Sequence, residues 1–468
     1  MPIKRTNYTN TFPHTHRKVL AVEHKTNVRV LMFRYLAYGH ITPFFELAKK
    51  LSDEGFSIDL CSTPINLSLI KKKITEKYSC SIHLVEFHLP NLPELPPHYH
   101  TTNGLPIHLQ STLYKAITMS KPQFYEILKD QKPNVLVHDL MQPWATGVAS
   151  SLNIPSIKFC LTSIAMCSYF GHFFLKPGVE FPFPALYLKD YEREIMRPYD
   201  VEVKEELGEN RAVMLVNSSR AIDGEYMDYL SEIGKTEILP TGVVIQDIAI
   251  NEEEMEIIKW LGNKMENSTV YVSFGSENFL TKEEMEEVAY GLELSNVHFI
   301  WVVRFPKEEQ VVSLEDVLPQ GFLQRNIGEK GRIIECWAPQ TTILKPPSIG
   351  AFLTHCGWNS TLECIEFGVP IIGLPMNFYS DQPLNARLIV ENGVAVEMAR
   401  NGNGKIHRGN VAETIKNVFF GEKNIGEDLR RKVKGLRENI KLLREEEMDE
   451  VVMVLKQICE KNQSKMDA

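Results

Sequence analysis

The most informative residues in the sequence follow a short apolar run that ends near residue 354. The pattern predicts a strand over residues 350–354, a tight His-Cys-Gly turn after it, and a helix that opens at Asn359. The first N–H groups of a helix have no partner within it, and the helix dipole adds positive charge at the same end. A glycine turn that leads into a helix therefore predicts an anion site that suits a pyrophosphate.

Three side chains near this helix start could complete such a site. His355 and Ser360 carry hydrogen-bond donors for phosphate oxygens. Glu363 lies four residues after Asn359 on the same helical face, where its carboxylate could accept hydrogen bonds from a ribose diol. The alternative is purely structural, with Ser360 capping the helix and His355 packing in the interior. The spacing alone does not decide between the two.

A second group of residues, in the N-terminal half, suits acid–base chemistry. His40 falls in the loop between a predicted strand at residues 28–33 and a predicted helix at residues 43–54, where an α/β sheet carries its active site. Asp139 ends the predicted strand at residues 135–139. A carboxylate there can hold the proton-bearing nitrogen of His40, which fixes the tautomer and stabilises the imidazolium. The structural alternatives are a surface histidine and an aspartate that caps the next helix.

The elements that must position these residues repeat along the chain. Short β-branched apolar runs alternate with stretches of helical length, which predicts an α/β fold of βαβ units with parallel sheets. In the first half, strands are expected at residues 28–33, 57–62, 82–88, 135–139, 154–159 and 212–217. In the second half, they are expected at residues 269–274, 298–303, 332–336, 350–354, 370–374 and 394–398. Helices are expected at residues 43–54, 107–129 and 143–152.

The chain is too long, at 468 residues, for one compact core, which predicts two domains with a cleft between them. A polar, acidic interval between the two series of strands marks the boundary. The expected division is a flexible tail, a first domain, a linker, a second domain and a C-terminal helix with its tail, at residues 1–27, 28–244, 245–256, 257–450 and 451–468.

Composition excludes several classes of partner. The net charge of -9 argues against a nucleic acid, whose phosphates need a basic surface. The apolar residues 157–175 are interrupted by polar side chains, which predicts a buried helix and no stable membrane insertion. Scattered cysteines without a CxxC pair predict free thiols in a cytoplasmic protein, and we expect a monomer. The first 27 residues lack a signal-peptide core, although their Thr-rich, acid-poor composition leaves a transit peptide open.

Residues 337–382 closely resemble the secondary-product glycosyltransferase box of the plant family 1 UDP-glycosyltransferases. The matching sequence is WAPQTTILKPPSIGAFLTHCGWNSTLECIEFGVPIIGLPMNFYSDQ. This resemblance implies the GT-B fold, in which two Rossmann-like domains with parallel sheets face a cleft. It also implies that the second domain binds a UDP-sugar donor and that the first binds the acceptor.

The resemblance further implies which residues contact the donor. Those that it assigns to the uracil base and the ribose are Trp337, Gln340 and Glu363. Those that it assigns to the phosphates are His355, Asn359, Ser360 and, in the second match VYVSFGSENF, Ser276. Those that it assigns to the sugar are Asp381 and Gln382, while Ala338 and Trp358 lie in the same binding stretch. Residues 376–380 make this stretch two residues longer than the usual spacing of the family, which bears on the two sugar contacts.

The segment FRYLAYGH resembles the catalytic-base loop of the same family, which implies that His40 and Asp139 form the catalytic pair. Arg34 and its neighbours in FRYLA are atypical of that loop. We therefore expect a change in the shape of the pocket or in the way the first strand ends.

The implied reaction is one displacement that inverts the anomeric carbon of the sugar. Gln382 suggests glucose as the transferred sugar, by analogy alone. The stretches PPHYHTTNGLP, DLMQPWA and FGSENF resemble the branch that extends sugars on terpenoid or flavonoid glycosides, so the acceptor is expected to be a small molecule with an apolar body. Two alternatives stay open: glucosylation of an aglycone hydroxyl, and an inactive relative that only binds the UDP-sugar. An oxidoreductase would need a GxGxxG turn, which the sequence lacks.

No metal or cofactor is expected beyond UDP-glucose as the donor substrate. Glycosyltransferases of the other major fold commonly hold a divalent cation with a D-x-D pair. No two aspartates here have that spacing. The start of the helix at Asn359 must then balance the phosphate charge.

Overall fold

The computed structural model describes residues 28–196, 212–245, 252–305, 313–335, 337–376, 381–422 and 424–466. These residues form two parallel β-sheets, each packed between helices. The predicted α/β class with two parallel sheets is confirmed. The predicted N-terminal tail and half of the predicted linker lie outside the described residues, so the boundaries of the domains stay predictions. None of the described helices is both long and apolar enough to cross a bilayer.

The first sheet has the strand order β3-β2-β1-β4-β5-β6-β7. Its strands are β1 (Arg29–Phe33), β2 (Ser57–Ser62), β3 (Ile82–Glu86), β4 (Val135–Asp139), β5 (Ser156–Cys160), β6 (Val213–Val216) and β7 (Glu237–Pro240). The accompanying helices are α1 (Tyr38–Asp53), α2 (Pro64–Lys71), α3 (Gln110–Met119), α4 (Lys121–Gln131), α5 (Trp144–Ser151), α6 (Ile164–Leu175), α7 (Asp190–Met196) and α8 (Arg220–Gly234). Short 3-10 turns lie at Glu76–Tyr78, Pro97–Tyr99 and Ile107–Leu109.

The second sheet has the strand order β10-β9-β8-β11-β12-β13. Its strands are β8 (Thr269–Ser273), β9 (His298–Val302), β10 (Gly331–Ile334), β11 (Ile349–Thr354), β12 (Ile371–Gly373) and β13 (Ala395–Glu397). The helices are α9 (Glu252–Gly262), α10 (Lys282–Ser295), α11 (Leu314–Val317), α12 (Phe322–Asn326), α13 (Gln340–Leu344), α14 (Trp358–Phe367), α15 (Gln382–Glu391), α16 (Arg408–Phe420) and α17 (Ile425–Met466).

Both sheets contain the same kind of crossover. In the first sheet β1 lies beside β4, and in the second β8 lies beside β11, so the strand order reverses at these two points. Parallel sheets bind their ligands at such points, beyond the carboxyl ends of the strands. His40 follows β1 and Asp139 ends β4, while Ser276 follows β8 and His355 follows β11. The topology therefore brings the predicted catalytic and donor residues to the binding edges of the two sheets.

The helix α1 begins earlier than the sequence predicted. His40 lies in its first turn and not in the preceding loop, which corrects the expected start at residue 43. Pro43 has no N–H group, so the Gly39 carbonyl lacks its usual helical partner. Asn359 Nδ2 donates to that carbonyl at 2.6 Å. This contact from the second domain offsets the missing helical bond and lets the helix start before the proline.

Two other predicted helices differ from the observed ones. The helix expected at residues 107–129 is divided into a 3-10 turn, α3 and α4, because Pro122 fits the first turn of a new helix and not the interior of one. Residues 157–175, expected to form a buried helix, form the end of β5 and then α6. The Ser163 side chain caps α6 by accepting the Met166 N–H. The sequence did not predict β7, a short strand at the edge of its sheet.

One long helix ties the two sheets together. Leu429, near the start of α17, is buried in the core beneath the second sheet. Val451 and Leu455, near its end, are buried with Val30 and Val135 in the core of the first sheet. The helix thus continues across the boundary expected at residue 450.

The end of α17 should contribute strongly to stability. Leu455→Ala is expected to lower the free energy of unfolding by about 2–5 kcal/mol, because it leaves a cavity in the core of the first sheet. Leu442 lies on the same helix but is 80% exposed, and Leu442→Ala should change that free energy by less than about 0.5 kcal/mol. Urea unfolding of both variants measures the difference. Equal, small effects would show that the end of α17 is not part of the core.

Candidate active site

A large cavity separates the binding edges of the two sheets. Its volume is about 3260 Å³, and residues of both sheets line it. The lining includes every residue that the sequence predicted for the site: His40, Asp139, Ser276, Trp337, Ala338, Gln340, His355, Trp358, Asn359, Ser360, Glu363, Asp381 and Gln382. The predicted residues, taken from distant parts of the chain, thus share one space.

His40 and Asp139 form a hydrogen-bonded pair on the first-sheet side of the cavity. The Nδ1 atom of His40 lies 2.5 Å from Asp139 Oδ2. Asp139 is buried and also accepts the backbone N–H groups of Tyr35, at 3.2 Å, and Met141, at 2.9 Å. His138 faces the other side of β4, as the strand alternation requires, and bonds to Thr146. Since Asp139 holds Nδ1, Nε2 is the nitrogen of His40 available to a substrate proton.

The surroundings of the pair favour its ionised carboxylate. Burial opposes the charge on Asp139, yet the His40 ring and the two backbone N–H groups hold the pKa of Asp139 below its ordinary value. Burial likewise opposes an imidazolium, but Asp139 and the more distant Glu277 raise the pKa of His40 above its ordinary value, while Arg34 acts in the opposite sense. This arrangement lets the ring accept a proton and hold it beside a carboxylate.

The amino end of α14 lies directly against the start of α1. Asn359, in the first turn of α14, bonds to the carbonyl of Gly39, the residue before His40. The helix end predicted to hold phosphates therefore lies next to the predicted base. The Asn359 amide is engaged with the first domain, so its contact with a phosphate stays a prediction.

His355 is held in a tight space at the turn into α14. It is buried, and burial lowers its pKa to about 4, so the ring is neutral at physiological pH. A Cβ added at Gly275 would lie 2.7 Å from His355 Nε2, and one added at Gly357 would lie 2.4 Å from it. Thr354 Oγ1 lies 3.2 Å from Nδ1. A hydroxyl that donates to Nδ1 leaves the ring proton on Nε2, where it can be donated to a phosphate oxygen.

Gln340 organises the region that the sequence assigned to the base and ribose. Its Nε2 donates to Ser360 Oγ at 3.0 Å and to Glu363 Oε2 at 2.6 Å. Burial raises the pKa of Glu363 to about 7, against the effect of the Gln340 hydrogen bond. Trp337 is 46% exposed, and the Arg304 guanidinium lies 4.9 Å from its ring centroid. The cluster thus offers an indole face beside a carboxylate that ribose hydroxyls can reach.

The residues assigned to the sugar are bound to other protein groups. Asp381 Oδ2 accepts from Thr162 of the first domain at 2.6 Å and from Asn385 at 2.7 Å. Gln382 Oε1 accepts the Met376 N–H at 2.9 Å. Both residues line the cavity, and their contact with a sugar stays a prediction. Residues 377–380 of the longer segment lie outside the described residues.

Two other predicted donor residues have clear structural surroundings. The indole of Trp358 donates to the Asn217 carbonyl at 2.8 Å, so it anchors the second domain to the first. Ser276 lies partly exposed in the loop after β8. No local sequence pattern indicates the contacts that cross between domains, since their partners are far apart along the chain.

Comparisons with known proteins identify the family. The family model "Glycosyltransferase, N-terminal domain" matches residues 26–238, and the model "UDP-glucoronosyl and UDP-glucosyl transferase" matches residues 234–425. The beta-D-glucosyl crocetin beta-1,6-glucosyltransferase of Gardenia jasminoides is 49% identical over 441 residues, which cover 91% of this chain and 98% of that protein. This chain belongs to the UDP-glycosyltransferase family. The resemblance inferred from the box is therefore confirmed.

Other relatives of this UDP-glycosyltransferase agree with the assignment. A mogroside IIIx synthase of Siraitia grosvenorii is 44% identical over 446 residues, covering 92% of this chain and 93% of that protein. The structure of a Glycyrrhiza uralensis enzyme in complex with glycyrrhetinic acid 3-O-monoglucuronide superposes with a TM-score of 0.78, over 94% of this chain and 98% of that one. At 23% identity, this second likeness shows the shared fold alone.

In this UDP-glycosyltransferase the first-sheet side of the cavity combines an apolar wall with a polar contact near His40. Phe170, Phe173 and Phe174, on α6, are exposed large side chains that line the cavity. Thr102 Oγ1 donates to Glu277 Oε1 at 2.6 Å across the cleft, and both residues line the cavity. Neither Thr102 nor Glu277 was predicted from the sequence. The one feature that could have indicated Glu277 is its position directly after Ser276.

The carboxylate of Glu363 should matter for binding of the nucleotide. At about pH 8, one unit above its pKa of about 7, the Glu363 carboxyl is mostly ionised. At that pH Glu363→Gln is expected to weaken UDP binding about 10- to 100-fold, because hydrogen bonds to a charged group are worth about 1.5–3 kcal/mol. Isothermal titration with uridine, UMP and UDP tests this, since all three share the ribose and should lose the same factor. Glu446→Gln, an exposed change on α17, is the control. Unchanged affinity for all three would contradict the role of Glu363.

Proposed function

We propose that this enzyme transfers glucose from UDP-glucose to a sugar hydroxyl of a terpenoid or flavonoid glycoside, with inversion at the anomeric carbon. The observation that carries the proposal is the contact between Asn359 and Gly39. This contact supports the proposal because the start of α14, which we propose binds the diphosphate, lies beside His40, so that the leaving group and the base would share one space. We also propose that the enzyme acts as a monomer in the cytoplasm, a compartment that the scattered cysteines support.

In the proposed reaction His40 acts as the general base. Its Nε2 removes the proton of the acceptor hydroxyl while that oxygen bonds to the anomeric carbon, and the bond from this carbon to the UDP oxygen breaks on the opposite face. Asp139 stabilises the imidazolium that forms. Because attack and departure occur on opposite faces, the product has the inverted configuration.

The second domain stabilises the leaving group. Charge develops on the diphosphate as UDP departs, and the N–H groups at the start of α14 are the donors that we propose for it. The neutral His355 ring can add one donor, and Ser276 can add another from the loop after β8. These groups are fixed before the reaction, so they need little rearrangement as the charge develops.

Three observations support a glycoside as the acceptor. The cavity, at about 3260 Å³, is several times larger than the roughly 300–1,000 Å³ of a typical small-ligand site. Its α6 wall suits an apolar body, while Glu277 and Thr102 provide polar groups near His40, where a sugar would react. The relatives described above include enzymes named for glucosyl transfer to a glucosyl crocetin and for mogroside synthesis.

A product screen tests the proposal. The protein is incubated with UDP-glucose and a panel of terpenoid and flavonoid glucosides with their matching aglycones, and products are identified by mass. A gain of one hexose on a glucoside, with no gain on its aglycone, is expected. A gain on aglycones alone would favour direct glucosylation, and UDP binding without any product would favour an inactive relative.

The reaction should not require a divalent cation. We expect EDTA to leave the initial rate within about twofold, because the α14 N-terminus and His355 are placed to balance the diphosphate charge. The described residues contain no cluster of three or more metal-ligating side chains. Rates are measured with EDTA and with added Mg²⁺ or Mn²⁺. A large loss with EDTA that Mg²⁺ restores would contradict this expectation.

A further inference from the structure

Arg34 is a buried cation without a hydrogen-bond partner among the described residues. It follows β1 directly, its side chain is 1% exposed, and none of its three guanidinium nitrogens is bonded. Buried charges are normally paired, because removing a charge from water is costly. Such an arrangement at the edge of a binding cleft suggests that the charge acts on a neighbouring group.

The strand register places Arg34 beside the catalytic pair. Phe33 is aligned with His138 of β4, so the residues that follow them, Arg34 and Asp139, lie level at the carboxyl edge of the sheet. The backbone N–H of Tyr35, the residue after Arg34, donates to Asp139. Arg34 and Asp139 are therefore neighbours on adjacent strands.

The alternation along the strands puts both side chains on the same face of the sheet. Met32 and Val137, two residues before Arg34 and Asp139, pack in the core on the side of α1. Side chains two positions apart on a strand share a face. Since α1 carries His40, the guanidinium, the carboxylate and the imidazole belong to one layer of the structure.

The charges that act on His40 come from four elements. Asp139 on β4, Glu277 after β8 and Asp381 at the start of α15 are acidic, and all three favour an imidazolium. Arg34 opposes them. Burial lowers the pKa of Arg34 to about 9, against the effects of Asp139 and Cys61, so Arg34 stays charged at neutral pH. A base surrounded by carboxylates alone would hold its proton too firmly to accept another.

We propose that Arg34 is a positioning residue for the His40–Asp139 pair, whose buried charge keeps Asp139 ionised and His40 in the neutral form that can accept a proton. The proposal rests on the role proposed for His40 as the base. It explains why the chain keeps a buried guanidinium that has no hydrogen-bond partner in the described part of the structure, since functional sites often retain such costly groups.

The test compares Arg34→Met, which removes the charge, with Arg34→Lys, which keeps it. Arg29→Met is the matched control, because Arg29 begins the same strand about 16 Å away, beyond the screening length of about 8 Å. The readout is the rate at which diethyl pyrocarbonate modifies His40, mapped by peptide mass spectrometry between pH 5.5 and 8, about one unit either side of the usual histidine range. This readout needs no acceptor.

Arg34→Met should raise the midpoint of His40 modification by about 0.5–1 pH unit, while Arg34→Lys and Arg29→Met should move it by less than about 0.2. The same shift should appear in the acidic limb of kcat/KM for the best acceptor of the screen. Arg34→Met should fold with an unchanged or higher Tm, because it removes the cost of burying a charge.

An unchanged midpoint in folded Arg34→Met would overturn the proposal, as would an equal shift in Arg29→Met. The pH midpoint of His40 modification is measured without any sugar transfer. A protein that transfers no sugar but shows the shift would refute the proposed function and leave the effect of Arg34 on His40 established.

Discussion

Replacing His40 with alanine is expected to lower the rate of glucosyl transfer about 10²- to 10⁴-fold, the usual contribution of a general base. The affinity for UDP should stay nearly unchanged. The reason is that different domains carry the two functions. His40 and Asp139 belong to the first sheet, whereas the groups proposed to bind the nucleotide follow β8, β10 and β11 of the second. Initial rates with UDP-glucose and titration with UDP measure the two quantities separately.

The partner residue provides a second check on the pair. Asp139→Asn should also slow transfer, and the variant that combines it with His40→Ala should be little slower than His40→Ala alone, because residues that act as a unit are not additive. His88→Ala, an exposed change at the end of the predicted third strand, is the control. If His40→Ala lost UDP binding, the histidine would be holding the donor or the domain contact, and the assignment as base would be wrong.

Local patterns were sufficient for much of the fold. The strands predicted at residues 57–62 and 135–139 are observed at Ser57–Ser62 and Val135–Asp139. Buried strands of parallel sheets have continuous apolar runs with clear ends, which the sequence shows directly. The strand β7 has only four residues at a sheet edge, too few for a recognisable period.

Interactions between distant residues account for what the sequence analysis missed. The start of α1 depends on Asn359, 320 residues further along the chain, which satisfies the Gly39 carbonyl that Pro43 leaves open. No local pattern contains that contact. The bond between Thr162 and Asp381 likewise crosses from one domain to the other. The residues of the site and the hydrogen bond between His40 and Asp139 could be predicted from the sequence. The hydrogen bonds between the two halves of the chain could not, because they exist only in the assembled cleft.

The burial of Arg34 is another feature that depends on the assembled structure. Arg34 is atypical of its loop, and the expected result was a change in the shape of the pocket or in the way the first strand ends. In the structure it does not line the cavity, and its side chain lies on the α1 face of the sheet beside Asp139. Strand alternation could have indicated that face, but only the packed structure shows that the guanidinium is enclosed without a partner among the described residues.

A methyl group at Gly357 is expected to lower kcat/KM for UDP-glucose about 100-fold, through the position of His355. The added Cβ would lie 2.4 Å from His355 Nε2, which no real contact tolerates, so the ring must move. Losing one hydrogen bond to a charged phosphate costs about 1.5–3 kcal/mol, which corresponds to roughly 10- to 150-fold in affinity. Gly357 has φ of -60° and ψ of 142°, which alanine adopts freely, so the effect comes from the contact and not from backbone strain.

The comparison with other glycines isolates that contact. A Cβ added at Gly275 would also meet His355, but the φ of +84° at Gly275 would strain any other residue. Gly275→Ala therefore could not separate displacement of the imidazole from backbone strain. Gly435, in the middle of α17, has nothing within 4 Å of an added Cβ. Gly435→Ala should therefore leave transfer unchanged and raise stability by up to about 1 kcal/mol.

The decisive measurement combines the alanine at position 357 with His355→Ala. If Gly357→Ala acts only by displacing the imidazole, it should have no further effect once the imidazole is gone, and the double variant should match His355→Ala in both UDP affinity and kcat/KM. Additive losses would mean that Gly357 itself supports the start of α14, and normal UDP binding by Gly357→Ala would mean that His355 does not contact the phosphates. Only the non-additive result is consistent with a histidine held between two glycines to bind the donor.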